Sequence, residues 1–534
     1  MGSPFSKKHY FVIVLFVGVL IFLFNLGGRD LWDPDETRYA VVAREMREGG
    51  NWILPHLNGA IYAEKPPLYF WLVNFSVFFL GEDSELANRL PSVLAGLGTL
   101  ILMFYFGSRL FNSQVGFISS LVLATCFFFP QISRWLMLDS LFTVLFLLTL
   151  YCFYLGYENE EDRRKQYLLA GLFIGLGVLT KGPIAYLSLP IFVIFGFSQK
   201  EIKKFWNRDL LLGFLLSLVV VFIWLIPACW MGGVDYSKRI LLGQTIGRLA
   251  EGGKHFHPKS IFFYFVRFPI EFLPWTIFLP SAILFGLRKG KNKEFLFISI
   301  WFIFIFLFFT LSKGKKDNYI LPLYPAVAMM VGVLWDSHIR SREEGKEFIL
   351  GFIFIILVLL IGSVLFLTGV PQRFYPALTA FHSTVLSVLL YLLVGSFLSL
   401  FFFYKKRGWA SFISLVVTFT ILHLHLPYSL PSKFNAQRSM KAFSEKVLSR
   451  MEEGDELKMC FFRSPGLLYY TRKPLIEEIW GKGRFLEVLQ LPQRVFIVIQ
   501  RGDLNQLKRD LQIEIVPVEQ LRVWHWDLTL VSNR

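Results

Sequence analysis

The sequence predicts a polytopic α-helical membrane protein with a small soluble α/β domain at its C-terminal end. Hydrophobic residues make up 54% of the 534-residue chain and charged residues only 18%, a composition typical of membrane proteins. Apolar runs of roughly 17 to 22 residues, long enough to cross a bilayer as helices, recur up to about residue 430. Beyond that point the apolar runs become short and alternate with polar segments, as in a folded soluble domain.

The apolar runs predict about thirteen transmembrane helices. The first run follows Lys7 and Lys8, and no small-residue cleavage site precedes "NLGGRD", so we expect an uncleaved helix rather than a signal peptide. The predicted centres lie near Val17, Leu97, Leu121, Phe146, Gly175, Val193, Val219, Leu279, Ile303, Ala328, Ile356, Leu390 and Val417.

The distribution of lysine and arginine sets the predicted orientation, because positive residues favour the cytoplasmic side. Lys7 and Lys8 therefore place the N-terminus inside. Alternation of the spans then leaves outside the loops 27–85 and 231–272 and the tail after residue 425. Basic cytoplasmic loops explain the net charge of +16, and no soluble segment carries a basic stripe with interleaved aromatic residues. We therefore expect no nucleic-acid partner.

One predicted outside loop contradicts this rule. The segment "SKGKKDNY" carries Lys313, Lys315 and Lys316 on the side that the topology signals disfavour. Either these lysines have a use there, such as binding an anionic ligand, or the number of spans is wrong.

The tail contains no recognisable catalytic motif. "FNAQRSMKAFSEKVLSRMEEGD" has helical periodicity, whereas "ELKMCFF", "RVFIVIQRG" and "IEIVPV" are typical of strands. About 100 residues are enough for a modest core. We therefore divide the chain into a transmembrane domain, residues 1–431, and a small α/β domain on the outer side, residues 432–534.

Charged residues cluster in "LWDPDETRYA", where the first predicted span ends. Asp35–Glu48 is predicted to form an amphipathic helix on the membrane surface, with Asp33 as its N-cap. Capping and the helix dipole explain acids here without any further function, and both interpretations stay open on local grounds. Later in the same loop, Glu64 and Lys65 precede two prolines, which indicates an acid and a base held at a helix start for a ligand.

Two further places carry side chains capable of chemistry. His255 and His257 are two residues apart and form half of a predicted metal site, with Glu64 as a further ligand. The alternative is a pair of histidines at the membrane interface. Asp139 begins the fourth predicted span, near Arg134, and an ionisable group at the end of a span is either functional or extends its charge towards water.

The outside loops resemble one known family. "DPDETRYAVVAREM" and "GNWILPHLNGAIYAEKPPLYFW" are similar to the first periplasmic loop of the bacterial lipid A aminoarabinose transferases, and "SKGKKDNYILPLYP" resembles their lysine-rich loop ending in Tyr-x-Leu-Pro. These enzymes are GT-C glycosyltransferases related to protein O-mannosyltransferases. The order of spans, the histidine-bearing loop and the soluble tail fit as well, so the resemblance covers nearly the whole chain.

The resemblance implies a set of site residues. Asp35 matches the acid at the active centre and Asp139 a second acid. Contacts to phosphate or acceptor are expected from Arg38, Lys65 and Tyr319, with Lys313, Lys315 and Lys316 as further candidates. Glu64 and one histidine of the pair His255 and His257 would hold a divalent metal such as zinc.

The resemblance also implies the reaction, an inverting sugar transfer at the periplasmic face of the bacterial inner membrane. The expected donor is an undecaprenyl-phosphate sugar, the expected acceptor is lipid A or another envelope molecule, and no nucleotide cofactor is expected. One alternative is a protein O-mannosyltransferase-like enzyme with a polyprenyl-phosphate mannose donor. Another is a transporter of lipid-linked sugars, which should show internal repeats or broken mid-membrane helices; a third is a structural or sensor protein. No linear motif identifies the sugar.

Overall fold

The chain divides into two compact units. The computed structural model describes residues 6–201, 205, 207–243, 259–288, 292–341 and 345–534. The first unit consists of Met1–Leu26, Ala63–Tyr69 and Arg89–Tyr428, and the second of Gly27–Tyr62, Phe70–Asn88 and Ser429–Arg534. The first predicted outside loop therefore contributes segments to both units.

Helices form most of the described chain before the tail. They are α1 (Lys7–Leu23), α2 (Asp35–Glu48), α3 (Leu68–Leu80), α4 (Glu85–Leu110), α5 (Ser113–Thr125), α6 (Phe128–Ser133), α7 (Leu138–Glu158), α8 (Arg163–Lys181), α9 (Ser188–Ser198), α10 (Arg208–Lys238), α11 (Phe263–Glu271), α12 (Leu279–Arg288), α13 (Lys293–Leu311), α14 (Tyr324–Ser341), α15 (Lys346–Leu367), α16 (Val370–Phe374), α17 (His382–Tyr404) and α18 (Gly408–Ser429). Short 3₁₀ segments lie at Pro183–Leu187, Trp275–Phe278, Asp317–Leu323 and Pro376–Phe381.

Many of these helices have the length and composition of membrane spans. Within the described ranges, eight helical segments are both long enough and apolar enough to cross a membrane: Glu85–Leu110, Leu138–Glu158, Arg208–Leu241, Lys293–Leu311, Asp317–Ser341, Lys346–Leu367, Leu378–Tyr404 and Gly408–Ser429. The pair Phe263–Glu271 and Trp275–Arg288, bent by 110°, is a ninth candidate. Every predicted span centre falls inside a helix, including α1, α5, α8 and α9, which are shorter or less apolar. The chain is a multi-pass α-helical membrane protein.

Helices α8 and α10 pack backbone against backbone. A Cβ atom on Gly171 would collide with the carbonyl oxygen of Gly213, and one on Gly213 would collide with the carbonyl oxygen of Tyr167. One turn further along α8, a Cβ atom on Gly175 would lie 2.7 Å from the side chain of Val220. Only glycine allows this approach, as in other close helix pairs in membranes, and the contact fixes the direction in which α8 runs.

The tail forms a five-stranded sheet with helices around it. Its strands are β3 (Glu456–Cys460), β4 (Glu477–Ile479), β5 (Val495–Gln500), β6 (Pro517–Val523) and β7 (Trp526–Ser532), and its helices are α19 (Pro431–Arg438), α20 (Lys441–Arg450), α21 (Pro465–Thr471), α22 (Lys482–Leu489) and α23 (Arg501–Leu511). The strand order is β4-β3-β5-β7-β6, with β3 parallel to both its neighbours and β7 antiparallel to both of its own. Strand β5 is central and almost entirely buried, so its apolar residues form the core of the sheet.

The predicted strand in "IEIVPV" is displaced in the structure. Residues 513–516 precede the strand, and β6 begins only at Pro517. The reason is its partner: β6 pairs along its length with β7, and the register from Pro517 to Val523 is set by that antiparallel pairing. Before the strand begins, Ile515 packs into the core cluster beside β5.

Segments of the first outside loop belong to the same unit as the tail. A short hairpin of β1 (His56–Leu57) and β2 (Ala60–Ile61) follows α2. In its turn, Asn58 donates to the carbonyl oxygen of Ile476 at 2.8 Å and accepts from the N–H of the same residue at 2.9 Å. The compact unit that holds the tail is therefore larger than residues 432–534.

Candidate active site

Asp139 lies in a buried polar cluster of the first unit. It stands in the first turn of α7 and is 3% exposed. One carboxylate oxygen accepts a hydrogen bond from the Lys181 ammonium at 2.5 Å, and the other accepts from the Asn318 amide at 2.8 Å. The Lys181 side chain is itself only 5% exposed. Removing one member of this ion pair would leave the other charge buried without compensation.

The partners of Asp139 come from segments far apart in the chain. Lys181 is the last residue of α8, and Gly182 follows it with a φ of 89°, a conformation that favours glycine. Asn318 lies in the 3₁₀ segment Asp317–Leu323. The Lys181 ammonium is also 5.2 Å from the ring centroid of Tyr319, within cation–π distance. The cluster therefore joins two residues predicted from the sequence, Asp139 and Tyr319, to two that were not.

A chain of hydrogen bonds connects the start of α7 to the segment that follows Lys65. The Ser92 hydroxyl donates to the carbonyl oxygen of Met137 at 2.9 Å and lies 2.6 Å from the phenol oxygen of Tyr69. Lys65 is 9% exposed, whereas Glu64 is exposed. Within this unit, the backbone after Lys65 is thus held through Tyr69 to the turn that carries Asp139.

The three predicted lysines of the loop after α13 differ in their surroundings. Lys315 is 6% exposed and donates to the carbonyl oxygen of Ser312 at 2.5 Å. Burial lowers the pKa of its ammonium below the ordinary lysine value. Lys313 and Lys316 are exposed. Lys315 is therefore the predicted lysine of this loop that the fold encloses.

Helix α11 holds the end of this loop in place. Arg267 forms a two-pronged ion pair with Asp317, at 3.1 and 2.5 Å. The Tyr264 hydroxyl donates to the carbonyl oxygen of Lys316 at 2.9 Å. These contacts fix the backbone immediately before Asn318 and Tyr319.

In the second unit, Asp35 and Arg38 occupy the first turn of α2 and form an ion pair with each other. Their side chains are 22% and 20% exposed, so both are accessible to a ligand. Glu36 is different, because it is 3% exposed and accepts two hydrogen bonds from Arg29 at 2.6 and 2.8 Å. Glu36 therefore holds the fold, whereas Asp35 and Arg38 are more exposed and bind each other.

The prediction that Asp33 caps α2 is wrong. The helix begins after Pro34 without a side-chain cap. The Asp33 carboxylate instead accepts from the hydroxyls of Thr37 and, at 2.9 Å, Ser464. Burial raises the pKa of Asp33 above the ordinary aspartate value, although these hydrogen bonds oppose the shift.

The predicted metal ligands are only partly described. His255 and His257 lie outside the described residues, and Glu64 is exposed. Across the described ranges, no three His, Cys, Asp or Glu side chains stand together as a metal site would require. The metal stays a prediction.

Reasoning from the sequence missed Lys181 and Asn318. Both lie on the predicted outer side, Lys181 in "TKGPIA" and Asn318 in "SKGKKDNY". A lone lysine that ends an apolar run directly before Gly-Pro was the available signal, since intramembrane charges need a partner and Asp139 has the opposite charge.

Comparison with known proteins identifies the family. Residues 64–226 match a family model described as dolichyl-phosphate-mannose-protein mannosyltransferase, a range that includes Lys65, Asp139 and Lys181. Over 439 residues the chain is 30% identical to the undecaprenyl phosphate-α-4-amino-4-deoxy-L-arabinose arabinosyl transferase of Photorhabdus laumondii, which covers 79% of this chain and 77% of the relative. The chain belongs to this arabinosyl transferase family.

Other members of the arabinosyl transferase family match over shorter stretches. The enzyme of the same name from Yersinia enterocolitica is 30% identical, over 64% of this chain and 63% of the relative. The one from Pectobacterium atrosepticum is 33% identical, over 63% of this chain and 60% of the relative. In these two alignments the chain spans about three-fifths of the relative's length.

Solved structures share the fold of this arabinosyl transferase family member. ArnT from Cupriavidus metallidurans bound to undecaprenyl phosphate superposes with a TM-score of 0.81 and 20% identity, over 99% of each chain. The Archaeoglobus fulgidus oligosaccharyltransferase superposes with a TM-score of 0.51 and 11% identity, over 93% of this chain and 70% of that chain. The fold is that of GT-C enzymes, and the chain is a membrane glycosyltransferase.

Proposed function

We propose that this glycosyltransferase moves 4-amino-4-deoxy-L-arabinose, or a related sugar, from undecaprenyl phosphate to lipid A or another envelope acceptor. The observation that carries the proposal is the 439-residue alignment with an arabinosyl transferase whose name gives that donor. The similarity in fold to a structure bound to undecaprenyl phosphate supports the same lipid carrier. The acceptor follows from the resemblance of the first outside loop to the lipid A-modifying family.

The proposed reaction is a single displacement at the anomeric carbon of the sugar. The bond from that carbon to the phosphate oxygen breaks, and its electron pair leaves with the lipid phosphate. An acceptor oxygen forms its bond from the opposite side, so the configuration inverts. Phosphate is a good leaving group, and the reaction therefore needs fixed positive charge where the phosphate gains negative charge more than it needs a general acid.

Several side chains named in the sequence analysis are candidates for this task in the proposal. The candidates are Lys65, Arg38, Lys313, Lys315 and Lys316, together with the hydroxyl of Tyr319. Lys315 is enclosed by the fold, where a charge acts more strongly than in water. This role gives the lysines on the predicted outer side a purpose.

The two acids have separate roles in the proposal. Asp35 stabilises the cation-like sugar carbon of the transition state and serves as a base when the acceptor is a hydroxyl. A phosphate acceptor is already an anion and needs no base. Asp139 acts through Lys181, because their ion pair holds the ammonium beside Tyr319.

We further propose a topology of about thirteen spans in the bacterial inner membrane. In it the N-terminus is cytoplasmic, residues 1–431 form the transmembrane domain, and residues 432–534 form a periplasmic α/β domain. The loops 27–85 and 231–272 then lie on the periplasmic side. The variants Ser449→Cys and Lys405→Cys, at two exposed positions, test this topology directly. A membrane-impermeant thiol reagent should label position 449 from outside, and position 405 only after lysis.

A divalent metal such as zinc, bound by Glu64 with His255 or His257, remains part of the proposal. When bound, such an ion would supply positive charge to the phosphate. Metal analysis of the purified protein tests it, with Glu64→Gln as the matched variant that should lower the bound metal.

The family model matched at residues 64–226 favours one alternative, a protein O-mannosyltransferase-like enzyme with a polyprenyl-phosphate mannose donor. The two functions separate in one assay. The purified protein in lipid nanodiscs is given undecaprenyl-phosphate aminoarabinose or polyprenyl-phosphate mannose, with lipid A or an acceptor peptide, and the products are identified by mass spectrometry. Transfer of mannose alone would replace the proposed function by the alternative.

The same assay tests the site. Lys65→Ala and Asp35→Ala should leave the protein folded and abolish transfer, whereas Lys405→Ala, an exposed lysine in a predicted cytoplasmic loop, should keep the wild-type rate. Normal activity in both site variants would contradict the assignment.

A further inference from the structure

The first turn of α2 lacks the usual means of fixing a helix start. The residue before it is Pro34, which supplies no side-chain cap. The first N–H groups of a helix have no partner within the helix, so such a turn depends on contacts made from outside it. Asp35 and Arg38 nevertheless stand in this turn as a defined ion pair. Something outside the helix must hold the turn in place.

The Asp33 carboxylate supplies that hold on one side. It accepts a hydrogen bond from the hydroxyl of Thr37, which is fully buried in the first turn of α2. Asp33 also lies only two residues before Asp35. The position of this carboxylate therefore helps to set where the first turn of α2 begins, alongside Glu36, which accepts hydrogen bonds from Arg29 and from the N–H of Trp32.

The tail fixes the same carboxylate from the other side. Ser464 is 1% exposed and donates its hydroxyl to Asp33 at 2.9 Å. The same hydroxyl oxygen accepts the N–H of Leu467 at 3.1 Å, so its hydrogen is directed at the carboxylate. A hydrogen bond to a charged acceptor is worth about twice a neutral one.

Gly466 leaves the space that this arrangement requires. A Cβ atom at this position would lie 2.6 Å from a carboxylate oxygen of Asp33, closer than any real Cβ contact. In the last four residues of the same tail helix, the carbonyl oxygens of Leu468 and Tyr469 accept hydrogen bonds from the buried guanidinium of Arg44, at 2.9 and 3.1 Å. Helix α21 is thus held to Asp33 before its first residue and to α2 through its second half.

We infer that Ser464 and Gly466, two residues of the tail, are positioning residues of the active site that act through Asp33 on the turn carrying Asp35 and Arg38. The inference rests on the proposed function, in which those two side chains act on donor and acceptor. It gives the tail, which has no catalytic motif, a part in catalysis. Neither residue needs to touch the substrate.

Two readouts on the full-length protein in nanodiscs test the inference. Hydrogen–deuterium exchange reports the order of the first two turns of α2, residues 35–42, without any substrate. The steady-state rate reports the consequence for transfer. The variants are Ser464→Ala, which removes the donor, and Gly466→Ala, which displaces the carboxylate. Ser464→Thr keeps the hydroxyl, and Ser449→Ala is the matched control, because Ser449 is exposed and its hydroxyl donates to the carbonyl oxygen of Lys446 in its own helix.

We expect exchange in residues 35–42 to rise about tenfold in Ser464→Ala and Gly466→Ala, while the peptide containing β5 keeps its protection. We expect kcat to fall about tenfold, with KM for the donor unchanged within about twofold, because small misplacements of catalytic groups cost rate rather than binding. Ser464→Thr and Ser449→Ala should behave as wild type.

Wild-type exchange in residues 35–42 of both Ser464→Ala and Gly466→Ala would overturn the inference. Equal loss of protection in the β5 peptide would also overturn it, because the role would then be general stability. If the wild-type protein transfers no aminoarabinose, the proposed function fails, yet the exchange measurement still decides whether the tail positions this turn.

Discussion

The ion pair between Lys181 and Asp139 makes a quantitative prediction. Lys181→Met keeps an apolar stem of similar length but removes the ammonium that Asp139 contacts at 2.5 Å. The two side chains are 5% and 3% exposed, so water cannot take over the lost contact. Among the residues that the structure describes, the Asn318 amide would remain as the hydrogen-bond donor to the carboxylate. Breaking a buried pair in this way costs about 3–5 kcal/mol of unfolding free energy.

The double variant Asp139→Asn with Lys181→Met removes both charges and should cost much less than the sum of the single variants. We expect an interaction energy of about 2–3 kcal/mol between the two positions. The assay is unfolding of the purified protein in mixed micelles, followed by tryptophan fluorescence, for the wild type, both single variants and the double variant. Transfer activity is measured on the same four proteins.

The matched control is the pair Arg163 and Glu160, at 2.7 Å, in which the Glu160 side chain is 68% exposed. Glu160→Gln removes the charge of the exposed partner and should change stability by about 0–1 kcal/mol, as is typical of surface ion pairs. If Lys181→Met also costs less than about 1 kcal/mol and the two single effects add within about 0.5 kcal/mol, the carboxylate is not held by this lysine and the reasoning is refuted.

Three further predictions concern the site. Asp35→Asn should abolish transfer to a hydroxyl acceptor but spare transfer to a phosphate, as measured with two matched acceptors; equal loss with both would show that Asp35 is not a base. Burial lowers the pKa of Lys315 in the folded protein, so the stability that this residue contributes is present above the unfolded-state pKa and is lost as the pH falls through the folded-state pKa. The unfolding free energy should therefore rise as the pH becomes alkaline, and Lys315→Met should remove this pH dependence. An unchanged pH dependence in the variant would contradict the prediction. Treatment with a chelator should lower activity and zinc should restore it, and full activity in metal-free protein would exclude the metal.

The predicted span centres agree with the helices because hydrophobic length is a local property. A run of apolar residues forms a helix in a membrane whatever lies elsewhere in the chain, so the centres near Val17 and Val417 could be placed without knowing any partner. The strand in "IEIVPV" shows the opposite case. The first residue of β6 depends on the pairing of this strand with β7. The residues of a single strand do not determine how it pairs.

A site residue could be predicted from the sequence when its residue type is unusual in its local context. Its bonding partner could not be predicted when that partner lies far away in the sequence. Asp139 stands out as an acid at the start of an apolar run, but its bond to Lys181 spans 42 residues of sequence. Asp33 was misassigned because Asp before Pro-Asp fits a local N-cap, whereas its actual donor, Ser464, follows 431 residues later. Long-range contacts of this kind need the fold.

The glycine contacts between α8 and α10 have a consequence for how the site tolerates change. Gly171 lies ten residues before Lys181 on the same helix, about 15 Å away along its axis. An alanine there would push the two helices apart, and the displacement would be carried along a stiff rod to the ammonium at its end. A single methyl group on α8 would thus displace the Lys181 ammonium from Asp139, so a residue with no chemistry of its own should be as sensitive to substitution as the ion pair itself.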